Sequence, residues 1–324
     1  MSSAAASLES LQYLLQFEIT NRCPALRAIE RSVPLKIESL VFEENRVIVN
    51  ATTYRFGIIR RYNVGETPHY VAASNERGGV GHEVDRYGIR DELDAHTVTP
   101  GDVDTRVGGE PEAKKQLTTV LFGGRNSPIY VTSFKFNCSQ CVIRLPVGLK
   151  FHVEKLKLGG DVGRTLEALA PIFHESSFPL KQLDISLLLG NDVTHPIVQA
   201  ARNLRIVMAS LDFRQNILAI TNPVVHINVM LLNEQTLERF IGNWIELNCP
   251  IGTEHTICLL QREPLFAFEM EDILKRLNGV PIDDDNVLIP MTAGTQLKVS
   301  YGPFPEFALR SKWAVRFSTV VTEH

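Results

Sequence analysis

The sequence predicts an α/β fold: short N-terminal helices, then a mixed sheet that continues into an irregular, parallel β/α solenoid. Three observations carry this. Residues 154–231 contain the strings EKLKL, PLKQLDISL, ARNLRIV and PVVHINVML, with apolar pairs at Leu156/Leu158, Leu183/Ile185, Leu204/Ile206 and Val225/Ile227. Such alternation marks strands with one buried face. Consecutive pairs begin 27, 21 and 21 residues apart, the spacing of leucine-rich-type repeats that contribute one short strand each. The segments between them read as helix or tight turn, and helical crossovers favour parallel strands. The predicted division is a helical segment over 1–34, an α+β region over 35–150 and a leucine-rich-like β/α region over 151–324.

In chain order, residues 7–31 read as two short helices. Leu8, Leu11, Leu14 and Leu15 repeat at helical spacing behind Ser7, a candidate N-cap. Pro24 suits the first turn of the second helix, in which Ala25, Ile29 and the stem of Arg27 are expected to face inward, and Pro34 stops it. So small a helical pair must lean on the rest of the chain or on a partner. Residues 35–62 read as β-structure, with Glu44-Asn45 as a hairpin turn.

Residues 63–112 break the pattern with paired glycines and prolines. Between Glu83 and Glu112 nine acids (Glu83, Asp85, Asp91, Glu92, Asp94, Asp102, Asp104, Glu110, Glu112) face three bases (Arg86, Arg90, Arg106), a local charge of −6. A solvated insertion is the plainer reading and an acidic docking loop the sharper one.

A helix is expected over Pro111–Phe122, with Leu117, Val120 and Leu121 on its inner side and Gly123-Gly124 as its stop. Strands are expected at Ile129–Phe136 and Val142–Leu145. Further on, Pro196 opens a helix capped by Thr194 or His195, and Glu234–Leu247 carries the broadest apolar stripe (Leu237, Phe240, Ile241, Trp244, Ile245). A strand at Ile257/Leu259 follows. A helix over Leu265–Leu277 then buries Phe266, Met270, Ile273, Leu274 and Leu277, and strands at Gln296–Ser300 and Trp313–Val321 follow a polar loop at Asp283–Asn286.

Composition narrows the function classes. A net charge of −4 gives no general attraction to nucleic acid or to an anionic membrane, so neither is expected as a partner. No apolar run approaches the roughly 18 residues of a membrane helix, and MSSAAASLES lacks the basic and apolar regions of a secretory signal. Five cysteines in 324 residues suit a reducing compartment, cytoplasm or nucleus.

Chemistry-bearing motifs are sparse. Cys138-x-x-Cys141 has the spacing of a zinc knuckle, but Cys249 and Cys258 are too far apart to make a second one, so buried thiols are expected and no metal. His82-Glu83 and His174-Glu175 lack the following histidine of a zincin helix, and the nine histidines are scattered along the chain. Gly78-Gly79-Val80-Gly81 opens no helix, and neither a G-x-S-x-G elbow nor a G-x-x-x-x-G-K-[ST] loop occurs. The expectation is a non-enzymatic binding protein without catalytic residues or cofactor.

Several strings resemble a nematode-expanded family of unknown function grouped with the F-box C proteins. They are VPLKIESLVF (33–42), TPHYV, NERGGV and DRYG (67–88), TPGDV (99–103), LTTVLFGGR (117–125), RLPVGLKFHVEKL (144–156), LAPIFHESSFPLKQL (169–183), HPIVQAARNL (195–204), NWIE with PIGT (243–253) and VSYGPF…SKWAVRF (299–317). The resemblance implies an F-box-like N-terminus, and with it a substrate receptor of a Skp–cullin–F-box ubiquitin ligase. Leu8, Leu11, Leu14, Leu15, Pro24 and Ile29 are the adaptor-binding candidates it points to. The partners implied are a Skp-family adaptor and an unknown protein substrate; the alternative is a plain protein-binding or structural module without ligase contact. Here the connector after YLL is short, and the charged insertion before LTTVLFGGR is absent.

Overall fold

The computed structural model describes residues 24–43, 46–55, 83–86, 96–97, 110–137, 145–186, 190–207, 220–229, 234–259, 270, 272–291, 294–303 and 313–322. The fold is mixed α/β, with few helices and open, mixed β-sheet. Two compact units divide the chain: residues 1–154 with 169–177, and residues 155–168 with 178–324.

The first unit opens with helix α1 (Pro24–Ser32), which begins at Pro24 as expected of a residue without an N–H to donate. Its inward face differs from expectation: Ala25 is exposed and Ile29 is 63 % exposed. The helix is tied down by its backbone. Arg125 donates to the Glu30 carbonyl at 3.3 Å and the Val33 carbonyl at 3.1 Å, and pairs with the Glu30 carboxylate. A helix held by polar contacts at its end can leave its aliphatic side chains in water.

Strand β1 (Lys36–Glu43) pairs antiparallel with β2 (Arg46–Val49), as the predicted hairpin requires, although Glu44 and Asn45 lie outside the described residues. The apolar run after the Glu44-Asn45 turn breaks at Asn50, where φ is +55°. Asn50 Oδ1 accepts the N–H groups of Glu38 (2.9 Å) and Ser39 (3.1 Å), so a side chain replaces the ladder across a second tight turn. Asparagine tolerates this left-handed conformation better than other non-glycine residues. Strand β3 (Thr52–Arg55) follows, and β4 (Glu83–Arg86) and β5 (His96–Thr97) extend the meander. Those two strands correct the reading of 63–112 as an insertion that breaks the strand pattern: pairing of β4 to β3 and of β5 to β4 supplies what local apolar pattern does not. Residues 110–112 begin the next helix, and the rest of that segment lies outside the described residues.

Helix α2 (Glu110–Phe122) ends at Gly123-Gly124, with Gly124 at φ +72°. Its inner face is Thr118, Leu121 and Phe122, whereas Leu117 and Val120 are half-buried. Strand β6 (Ile129–Asn137) runs parallel to β1. The expected strand over Val142–Leu145 finds no support at Leu145, and 138–144, with Cys138 and Cys141, lie outside the described residues. The first core gathers Phe42, Phe122, Phe134, Phe151 and Phe173.

Strand β7 (Phe151–Leu158) crosses the division, its first four residues in one unit and its last four in the other. Burial slips by one residue between Glu154 and Lys155, from Phe151/Val153 to Leu156/Leu158.

In the second unit, β7, β8 (Gln182–Ile185), β9 (Asn203–Ile206), β10 (Val224–Val229) and β11 (Glu254–Leu259) run parallel in chain order. Helices α3 (Val162–Leu169), α4 (Pro196–Ala200) and α5 (Glu234–Glu246) occupy three of the crossovers. The predicted apolar pairs stack in register: Leu156, Leu183, Leu204 and Val225 form one buried row, and Leu158, Ile185, Ile206, Ile227 and Ile257 the next. The expected cap of α4 is present, His195 Nδ1 accepting the Ile197 N–H at 3.2 Å.

Residues 270 and 272–276 are helical, with Met270, Ile273 and Leu274 buried as expected; Leu265 and Phe266 lie outside the described residues. Two more strands were not read from the sequence: β12 (Val280–Asp283) and β13 (Asn286–Pro290), whose connecting turn is the supposed polar loop. Pro281 and Pro290 disguised them, and edge positions tolerate proline. β14 (Thr295–Pro303) and β15 (Trp313–Val321) complete an antiparallel meander that returns β15 to the side of β11. Among the described residues no helix is long and apolar enough to cross a membrane.

Candidate functional site

In each parallel strand of the second unit the residue between the two ladder positions, which are apolar on β7 to β10 and His255 and Ile257 on β11, points to the opposite face. Register aligns these residues as Lys157, Asp184, Arg205, His226 and Thr256, and β15 adds Arg316. A second row holds Asn203, Val224, Glu254, Ser318 and Lys298 across β9, β10, β11, β15 and β14, with Lys155 opposite Gln182 at the β7 end. Lys155, Lys157, Arg205, Lys298 and Arg316 outnumber Asp184 and Glu254 here, in a chain whose net charge is −4. This polar face is therefore locally basic.

Contacts order part of the row. Lys157 Nζ stands 3.6 Å from Asp184 Oδ2, and Gln182 Nε2 donates to Asp184 Oδ1 at 2.6 Å. Lys155 and Arg316 are exposed, Lys157, Asp184, Arg205 and His226 are half-buried, and Thr256 is 1 % exposed. Parallel strands about 4.8 Å apart place such side chains at regular intervals on a stiff support, a geometry suited to contacting an extended surface.

The opposite face holds the support. His255 occupies the place in the apolar ladder that leucine or valine fills on the four preceding strands, because Val225 pairs with His255 rather than with Ile257. The predicted pair Ile257/Leu259 thus sits one step further along than its counterparts. His255 is 3 % exposed; its Nε2 donates to the Asn222 carbonyl at 2.9 Å, and its ring lies edge-on to Trp244 at 4.5 Å. Burial pushes the imidazole down to about 4, against the opposing pull of the Asn222 carbonyl and with a smaller push from His226. Asn222 Nδ2 reaches the carbonyls of Val198 (2.7 Å), Gln199 (3.1 Å) and Ala201 (2.8 Å), closing the last turn of α4. Trp244 Nε1 donates to Thr319 Oγ1 at 3.1 Å. Hydrogen bonds among these buried polar groups tie β11 to α4 and α5 to β15.

Of the sequence-predicted adaptor-binding residues, Leu8, Leu11, Leu14 and Leu15 lie outside the described residues. Pro24 and Ile29 are both in α1, five positions and therefore about 140° apart round the helix, so they do not share one face. Ile29 and the nearby Val33, 56 % exposed, present aliphatic surface to solvent. Cys258 is buried and its thiol is pushed up to about 11 by desolvation, despite the nearby Arg316, while Cys249 is half-buried and raised by the same cause; neither is poised as a thiolate. Among the described residues no three His, Cys, Asp or Glu side chains gather into a metal-holding group.

The polar row was not singled out in the sequence, yet its signal was there: it is the middle residue of each L-K-L, L-D-I, L-R-I and V-H-I string. Residues 111–260 match the model of a family described as a domain of unknown function, DUF3557. The matched stretch runs from α2 to just past β11 and includes Lys157, Asp184, Arg205, His226 and Thr256, whereas α1 lies outside it. No curated protein and no solved structure matches the chain.

Proposed function

We propose that the chain is a non-enzymatic substrate adaptor of a Skp–cullin–F-box type ubiquitin ligase, working in the cytoplasm or nucleus. In this reading β7–β11 and their crossovers are a leucine-rich-like array, and the polar face opposite the apolar ladder receives a protein substrate. One observation carries the binding role: a basic-leaning row of side chains in register across six neighbouring strands, Lys157 to Arg316. Fixed charges of this kind favour partner choice and association rate more than raw affinity. The ligase contact rests on the N-terminal resemblance and on Leu8, Leu11, Leu14 and Leu15 as the stripe offered to a Skp-family adaptor.

A plain binding module without ligase contact is the second reading. It is favoured by the small exposed aliphatic area of α1, where Ile29 is the helix's exposed large hydrophobic residue among those described, with Val33 just beyond its end. Co-purification with a Skp-family adaptor separates the two. Replacing Leu11→Asp together with Leu14→Asp is expected to remove the adaptor while leaving the far-UV spectrum and melting temperature nearly unchanged. A double variant that unfolds would place these leucines in the chain's own core and leave the plain module as the better reading.

A further inference from the structure

The histidines that look scattered in the sequence include one pair that the first unit brings together. Phe151 and Phe173 form an isolated parallel bridge, both buried, with the His174 N–H donating to the Phe151 carbonyl at 2.7 Å. The residue after each bridge partner is a histidine, His152 and His174, and both rings reach one hydroxyl. Ser176 Oγ lies 2.8 Å from His152 Nδ1 and 2.7 Å from His174 Nδ1. The Ser176 N–H also points to His174 Nδ1, at 3.3 Å. Tyr130, 44 % exposed, packs on the His152 ring with centroids 5.1 Å apart and so limits its rotation.

A hydroxyl has a single proton, so the two imidazole contacts must differ. The assignment that satisfies every contact makes His174 Nδ1 the acceptor and His152 Nδ1–H the donor to Ser176 Oγ. Two half-exposed ring nitrogens converging on one point, at 2.7 and 2.8 Å, are an inward shift of less than about 1 Å per ring from the roughly 2.0–2.1 Å of a metal–imidazole bond.

We propose that His152 and His174 chelate one divalent transition-metal ion through their Nδ1 atoms, at the position now bridged by Ser176 Oγ. Neutral imidazole suits zinc, nickel and copper, and copper should bind most tightly. The ion would be completed by water, with the Ser176 hydroxyl turned away from it. Binding needs the His152 proton to leave Nδ1. Exchange with water returns it to Nε2, so the ring stays neutral and no net proton is lost. The ion would clamp the 174–177 turn to β7, a role independent of the proposed ligase function.

Titration of the purified full chain with Zn2+ and Cu2+ tests this. One ion per chain is expected, together with a rise in melting temperature that grows with metal concentration. The Cu2+ electron paramagnetic resonance spectrum should carry hyperfine structure from two imidazole nitrogens. His152→Gln and His174→Gln should each abolish both the thermal shift and the two-nitrogen spectrum, whereas Ser176→Ala, which frees the nitrogens from a competing hydroxyl, should bind at least as well. A wild-type chain without stoichiometric binding, a spectrum of different nitrogen count, histidine variants that bind like the wild type, or loss of binding in Ser176→Ala would each overturn the assignment. The spectrum is read on the unsubstituted protein, so a poorly folding variant does not shield the proposal.

Discussion

His255 spends its imidazole where its neighbours in the ladder spend leucine or valine, and that exchange makes stability depend on acidity. Its folded value is about 4 against an ordinary 6.5, so between those limits the unfolded chain binds the proton that the folded chain refuses. The contribution is fully present above about pH 6.5 and is lost as pH falls toward 4, a change on the order of 3 kcal/mol. The groups facing the ring are Phe240, Trp244, Phe317 and the Asn222 carbonyl, while His226, on the opposite face of the neighbouring strand, adds a small push in the same direction as burial. None of them is an acid that would rescue the charged form. Urea midpoints of the wild type and of His255→Leu, compared at pH 7 and pH 4.5, should shift relative to each other in favour of the variant as the pH falls, because only the wild type carries this loss. A difference between the two that is the same at both pH values would assign the acid sensitivity elsewhere. Nothing in the sequence around EHTICL marks this histidine as a ladder residue, because the pair Ile257/Leu259 imitates the earlier repeats so well.

At the scale of elements, periodicity was legible wherever one face of an element is buried. The stripe of α5 is the clearest case: Leu237, Phe240, Ile241 and Trp244 are all buried, and Phe240 and Trp244 both contact Phe317 of β15. Trp244→Ala should cost about 3–5 kcal/mol in equilibrium denaturation, the range for deleting a large buried aromatic. A midpoint unchanged within error would contradict the packing of α5 on this sheet. Legibility failed where pairing rather than burial makes the strand. β12 is exposed along its length and contains Pro281, and β4 and β5 are short and polar; each exists because a neighbouring strand offers its ladder. The turn at Asn50 was missed for a related reason, because asparagine in a left-handed turn leaves no break in the hydrophobic pattern.

At the scale of the molecule, the parallel run of the second unit was readable from the spacing of four apolar pairs, and the face opposite them follows from strand alternation alone. Which side chains share that face needed register: Lys157, Asp184, Arg205 and His226 are 21 to 27 residues apart and meet only when the strands are aligned. The two histidines of the first unit are likewise separated by 22 positions and joined by a single bridge. The proposed function has the polar face hold a protein partner while the N-terminal segment holds the ligase adaptor. Its most direct test is a quantitative comparison of proteins bound in cells by the wild type and by the double variant Lys155→Glu, Lys157→Glu. Both lysines lie on the polar face, and losing the half-exposed Lys157–Asp184 pair should cost less than about 1 kcal/mol, so folding should be retained. The variant is expected to keep its Skp-family adaptor and its melting temperature but to lose a discrete partner held by the wild type. Identical sets of bound proteins would contradict it.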